Sequence, residues 1–143
     1  MIYLDGSYII KCYLDEPGTS EVLALVRGNL GRSSSLHGRS ELWSGIHRHL
    51  RERTISGRQA KSVWQQIERD ERAGLWHWLP ISETVVRRAC ATFEKLDATV
   101  FLRSSDALHL ASAAENGFVE IYSGDRVLLA AAPHFGLNGI SVY

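Results

Sequence analysis

Apolar positions along the chain switch repeatedly between short β-rich runs and stretches of helical spacing. The opening "MIYL" reads as a strand, and "SYIIKCYL" after it carries Tyr8, Ile9, Cys12 and Tyr13 at helical intervals. A turn at Pro17-Gly18 leads into a helix with Val22, Leu25 and Val26 on one face and Ser20 as its expected cap. Leu42, Ile46 and Leu50 recur four apart in "SELWSGIHRHLRER", which predicts a helix starting near Ser35 or near Ser40. A third pattern opens at Ser56 and closes at Gly74, and "LWHWLPI" reads as a buried strand ending at Pro80. Ser82 then caps a helix expected to turn Val86, Ala89, Cys90, Phe93 and Leu96 inward. "SSDALHLASAAENG" predicts a helix ended by Gly117, "FVEIYS" a strand, "DRVLLAAAPHFG" a short helix and "GISVY" a last strand.

Strands that alternate with helices imply right-handed crossovers and a mostly parallel sheet covered on both faces. No repeat, low-complexity tract or linker divides residues 1–143, so the expectation is one α/β domain with four or five short strands. Its length suffices for a self-sufficient core. With 45% hydrophobic and 22% charged residues the composition is that of an ordinary globular chain. A formal net charge of zero means that any affinity for nucleic acid must come from local charge. The two cysteines, Cys12 and Cys90, have no metal-site spacing and read as small core residues in a reducing compartment. The start lacks a basic region and is interrupted by Asp5, and no apolar run is long enough to span a bilayer, so a cytosolic protein without membrane attachment is expected.

On this frame several acids acquire meaning. Open parallel sheets bind ligands beyond the carboxyl ends of their strands. Asp5 lies at that end of the first strand, and Asp125 sits just past "FVEIYS". Asp106 falls in the first turn of its helix and Glu41 early in another, so both can project toward the same rim. Each also has a structural reading: Asp106 and Asp125 as helix caps, Glu41 as a partner of a helix dipole. Asp5, placed directly after an apolar strand and beside Gly6, is the hardest to explain structurally. Carboxylates crowded together repel by roughly 1 kcal/mol or more per close pair, so such a cluster needs a cation. All-oxygen ligands suit a hard ion, Mg²⁺ or Mn²⁺, and metal-assisted phosphodiester hydrolysis is the chemistry such a centre performs.

The blocks "YLDGSYIIKCYLDEPG", "SSSLHGRSELWSGIHR", "LRSSDALHLASAAENG" and "IYSGDRVLLAAAPHFGL" resemble, in order and over nearly the whole chain, the signature blocks of PIN-domain ribonucleases. Among these the chain most resembles the VapC toxins of bacterial toxin–antitoxin pairs. The resemblance implies a PIN-like fold and an Mg²⁺- or Mn²⁺-dependent endoribonuclease acting on structured RNA such as tRNA or rRNA. It further implies a VapB-like antitoxin as inhibitor and, by analogy, a homodimer. In that family the metal is held at the positions of Asp5, Glu41, Asp106 and Asp125. The roles implied are metal coordination for Asp5, Asp106 and Asp125, and orientation or deprotonation of the attacking water for Glu41. Ser7 and Ser123 are implied as hydrogen-bond donors to the ligand carboxylates or to phosphate. Family members commonly have D-T-S or D-A-S where this chain has Asp5-Gly6-Ser7, and Thr-x-Asp where it has Ser123-Gly124-Asp125. Both hydroxyls are kept, while Gly6 adds backbone freedom beside a ligand.

Other polar clusters are less specific. Arg48, Arg51, Arg53 and Arg58 are candidates to grip RNA phosphates, against the default of a solvated helix face. His109 faces the side of Asp106 and reads as a hydrogen-bonded structural residue. Trp64, Trp76 and Trp78 are expected to pack in the core or at an interface. A covalent phosphatase would want an aspartate at position 7, where Ser7 stands, and no phosphate-binding glycine motif occurs. The remaining rival is a catalytically inactive PIN-like module that binds RNA or protein.

Overall fold

The computed structural model describes residues 1–143. The chain runs β1 (Ile2–Tyr3), α1 (Gly6–Lys11), α2 (Thr19–Arg27), β2 (Arg32–Ser35), α3 (Leu36–Arg51), α4 (Gly57–Arg72) and β3 (Trp76–Leu79). It continues through α5 (Glu83–Lys95), α6 (Ser104–Glu115), β4 (Glu120–Tyr122), α7 (Arg126–Ala131), a 3₁₀ turn (Ala132–Phe135) and β5 (Asn138–Ile140). Strands β1, β2 and β3 pair in parallel in that order, and β4 pairs in parallel with β5. A parallel bridge from Leu4 to Tyr122, with the Asp5 amide donating to the Tyr122 carbonyl at 3.2 Å, joins the two sheets edge to edge. The carboxyl ends of β1 and β4 therefore lie side by side.

Alternation along β1 divides the core. Ile2 and Leu4 pack with Ile9, Val22, Leu42, Ile46 and Trp76, whereas Tyr3 packs on the opposite face with Leu79, Leu110, Ile121 and Phe135. Each face is closed by helices, as a parallel sheet requires. The sheet has five strands, in keeping with the expectation of four or five.

Several details differ from the sequence reading. The serine cluster Ser33–Ser35, expected only to open a helix, is itself most of β2, and all three serines are fully buried. Small side chains here let α3 and α6 approach closely: a Cβ on Gly38 would meet His109 and Ile9 atoms at 2.9 Å. Ser35 is also the cap of α3, its hydroxyl accepting from the Gly38 amide at 3.1 Å, while Ser40 lies inside the helix. Glu41 is thus in the second turn of α3, away from the dipole's positive end. Gly18 in a left-handed conformation caps α2 in place of Ser20. The buried face of α5 is Val85 and Ala89, with Val86, Phe93 and Cys90 exposed, because small Ala89 permits close pairing with α6. Asp106 does not cap α6: the cap position is Arg103, and Asp106 sits three residues on. Beyond Ile140 the chain leaves the sheet, and the Val142 amide donates to the Tyr8 hydroxyl at 2.8 Å.

Candidate active site

Asp5 ends β1 and caps α1, its Oδ1 accepting from the Tyr8 amide at 3.1 Å and from Ser7 Oγ at 2.7 Å. Its Oδ2 accepts from Ser123 Oγ at 2.6 Å. Only 4% of Asp5 is exposed. Burial raises its pKa, opposed by the nearby His109 charge and by the hydrogen bonds from Ser123, Ser7 and Tyr8. The serines also stitch the sheet edge together: Ser123 Oγ accepts from the Asp125 amide at 2.8 Å, and Ser7 Oγ accepts from the Gly124 amide at 3.0 Å. These bonds fix the loop after β4 against the loop after β1.

That loop delivers Asp125, which caps α7 with Oδ1 accepting from the Val127 amide at 2.8 Å. Its Oδ2 pairs with the Arg103 guanidinium, which also bonds Asp106 through Nε at 2.9 Å and Nη2 at 3.3 Å. One arginine therefore neutralises two acids from different elements. The sequence reading missed Arg103, although it stands three residues before Asp106 in "LRSSDALHL", a spacing that brings side chains together at the start of a helix.

Glu41 approaches from α3. Its Oε2 accepts from His109 Nε2 at 2.7 Å and its Oε1 from Ser105 Oγ at 2.6 Å, with His37 Nε2 at 3.1 Å. Its carboxylate occupies the space a Cβ on residue 6 would take, so Gly6 makes room for it. Burial would raise its pKa, but the hydrogen bond and charge of His109, with help from Ser105 and His37, push it down to about 2. His109 is fully enclosed, its Nδ1 bonded to the Tyr3 hydroxyl at 3.1 Å. Burial disfavours the imidazolium, yet Tyr3, Glu41 and Asp5 outweigh it and hold its pKa well above the usual value. The histidine is hydrogen-bonded through both ring nitrogens, in keeping with a hydrogen-bonded histidine at this position.

All four acids, Asp5, Glu41, Asp106 and Asp125, line one cleft of about 730 Å³, together with Lys11 and Arg48. Ser7 lines it too, while Ser123 lies buried behind Asp5. Arg48 pairs with Glu16 at 2.8 Å, an acid shared with Lys11 at 2.8 Å and His49 at 2.9 Å. Arg51 is exposed at the end of α3, outside the cleft. Trp76 and Trp78 stack with ring centroids 4.8 Å apart, and their indole N–H groups donate to Tyr13 and Glu71, which makes them packing residues. Tyr143 forms one wall of the cleft, stacked on Tyr8 at 5.6 Å and seated against Gly18 and Gly124.

The carboxylates of Asp5, Asp106 and Asp125 offer oxygen only, the donor type a hard divalent ion takes, but their oxygens do not all lie within 4.8 Å of one another as the ligand atoms of His37, Glu41 and His109 do, and Arg103 holds two of the three. A family model described as the PIN domain matches residues 2–133, and the chain belongs to that family. Among solved structures it is similar to FitAcB from Neisseria gonorrhoeae, with a TM-score of 0.74 and 16% identity over 98% of this chain and 96% of that one. It is similar also to a toxin–antitoxin complex from Klebsiella pneumoniae, with a TM-score of 0.67, 15% identity and coverage of 100% and 98%. VapBC2 from Rickettsia felis, bound to a promoter DNA fragment, matches with a TM-score of 0.67 and 14% identity over 99% of this chain and 98% of that one. No curated protein sequence matches the chain.

Proposed function

We propose that the chain is a divalent-metal-dependent endoribonuclease, the toxin of a toxin–antitoxin pair, that hydrolyses phosphodiester bonds in structured RNA such as tRNA or rRNA. The observation that carries this reading is the convergence of Asp5, Glu41, Asp106 and Asp125, from four separate elements or loops, on one cleft. Membership in the PIN domain family and the likeness to proteins solved as toxin–antitoxin complexes support it. The partners on this reading are an RNA substrate, a VapB-like antitoxin and a second copy of the chain. The setting is cytoplasmic, in keeping with the lack of any helix long and apolar enough to cross a membrane.

Asp5, Asp106 and Asp125 would hold Mg²⁺ or Mn²⁺, directly or through water. When bound, the ion neutralises phosphate charge and acidifies a water. Ser7, Ser123 and the Tyr8 amide fix the Asp5 carboxylate in place, so little reorganisation is needed. Glu41, kept ionised by His109 and Ser105, orients the attacking water by accepting its hydrogen bond. Arg103, now paired with Asp106 and Asp125, and Lys11 and Arg48 at the rim would supply positive charge to the RNA phosphates.

The test incubates purified protein with structured RNA in Mg²⁺, in Mn²⁺ or with chelator, beside Asp5→Asn. Cleavage should need metal and fall at least a hundredfold in the variant. Cleavage indifferent to both chelator and substitution would overturn the reading.

A further inference from the structure

His37 and Glu41 are one helical turn apart on α3, and His109 reaches the same carboxylate from α6. One ligand atom from each of these residues lies within 4.8 Å of the other two. The rings of His37 and His109 face each other with centroids 5.6 Å apart and planes inclined by 59°. Tyr3, fully buried, engages Nδ1 of His109 and leaves Nε2 as the nitrogen directed at Glu41. Metal-binding histidines are commonly fixed in this way, one ring nitrogen anchored by a neighbour while the other meets the ion. His37 and Glu41 are both partly open to solvent, with side-chain exposures of 27% and 30%, which gives an entry path.

Two imidazoles and a carboxylate are a different donor set from the aspartates across the cleft. Hard ions prefer oxygen, whereas mixed nitrogen and oxygen ligands select borderline ions such as Zn²⁺, Co²⁺ or Ni²⁺. We propose that His37, Glu41 and His109 form a second metal site, selective for a borderline transition ion such as Zn²⁺, that borders the acidic cleft through Glu41 and uses none of the three aspartates. The ion takes the place of the contacts that now join the two rings to the carboxylate. A rotation of His37, which is partly open to solvent, closes the set, and water completes the coordination. On the nuclease reading, an ion there withdraws Glu41 from the attacking water, so Zn²⁺ inhibits cleavage supported by Mg²⁺.

Calorimetric titration of the RNA-free protein with Zn²⁺ tests the site, with Co²⁺ as a spectroscopic probe for the visible bands of nitrogen-coordinated, low-coordinate cobalt. Wild type and Asp106→Asn should bind Zn²⁺ alike and give the same cobalt spectrum. His37→Gln, a part-exposed change, should weaken Zn²⁺ at least tenfold and lose the spectrum while its melting curve stays cooperative. Unchanged Zn²⁺ affinity in His37→Gln would overturn the site, as would loss of binding in Asp106→Asn, which would assign the ion to the aspartates. Zinc binding that follows these rules in a protein without ribonuclease activity would remove the nuclease reading and leave the metal site standing.

Discussion

Gly6 shows how closely one position constrains the cleft. From sequence its role is backbone freedom beside a ligand; in the fold it vacates the space that Glu41 fills. Gly6→Ala should therefore push Glu41 off His109 and Ser105, and on the proposed nuclease reading this should lower cleavage on the order of a hundredfold. A crystal structure of the variant should show the carboxylate moved, and an unmoved Glu41 with full activity would contradict the assignment. Glu16 supports a prediction about pH. Burial works to raise its pKa, but hydrogen bonds and charges from Lys11, His49 and Arg48 outweigh that and hold it below the usual 4.5. A carboxyl group depressed on folding stabilises above its unfolded pKa and loses that contribution as pH falls through the folded one. Wild type should thus melt higher than Glu16→Gln near neutral pH, and the difference should shrink progressively below about pH 4.5.

Among the elements, those with strong periodicity were legible: the strands at "MIYL", "LWHWLPI" and "FVEIYS", and the helices capped by Ser56 and Ser82. Strand β2 was not, because Ser33, Ser34 and Ser35 offer neither apolar alternation nor β-branched side chains. What buries them is tertiary, the close approach of α3 and α6 over a small-residue strand. The hydroxyls of Ser33 and Ser34 have no hydrogen-bond partner. A buried hydroxyl without a partner is a cost, so Ser33→Ala should stabilise the fold by about 1 kcal/mol in urea unfolding. A loss of similar size would mean that the hydroxyl is paired. The register of α5 was misread for a related reason: Ala89, not the larger Phe93, meets α6, and helix contacts of that sort are decided by the partner's shape.

For the molecule as a whole, the acids could be picked out because a charge directly after an apolar strand, or inside an apolar helix, needs compensation. The compensating cation was half legible: the three-residue spacing of Arg103 from Asp106 is in the sequence, but its pairing with Asp125 forms only once the fold brings α6 and α7 together. An arginine between two acids competes with any metal for them. Arg103→Gln should lower the metal-free melting temperature through uncompensated repulsion, and Mn²⁺ should raise the variant's melting temperature by more than it raises that of wild type. An equal metal response in both would mean that Arg103 does not compete.

Tyr143 stacks on Tyr8 and fits against Gly18 and Gly124, so the carboxyl end of the described chain is docked at the mouth of the acidic cleft. Met1, in contrast, lies at the amino end of β1, opposite the strand ends that form the cleft, and is exposed. An affinity tag or fluorescent fusion attached after Tyr143 would emerge over the acidic cleft and obstruct access to it. Attached ahead of Met1, the same tag leaves the cleft open.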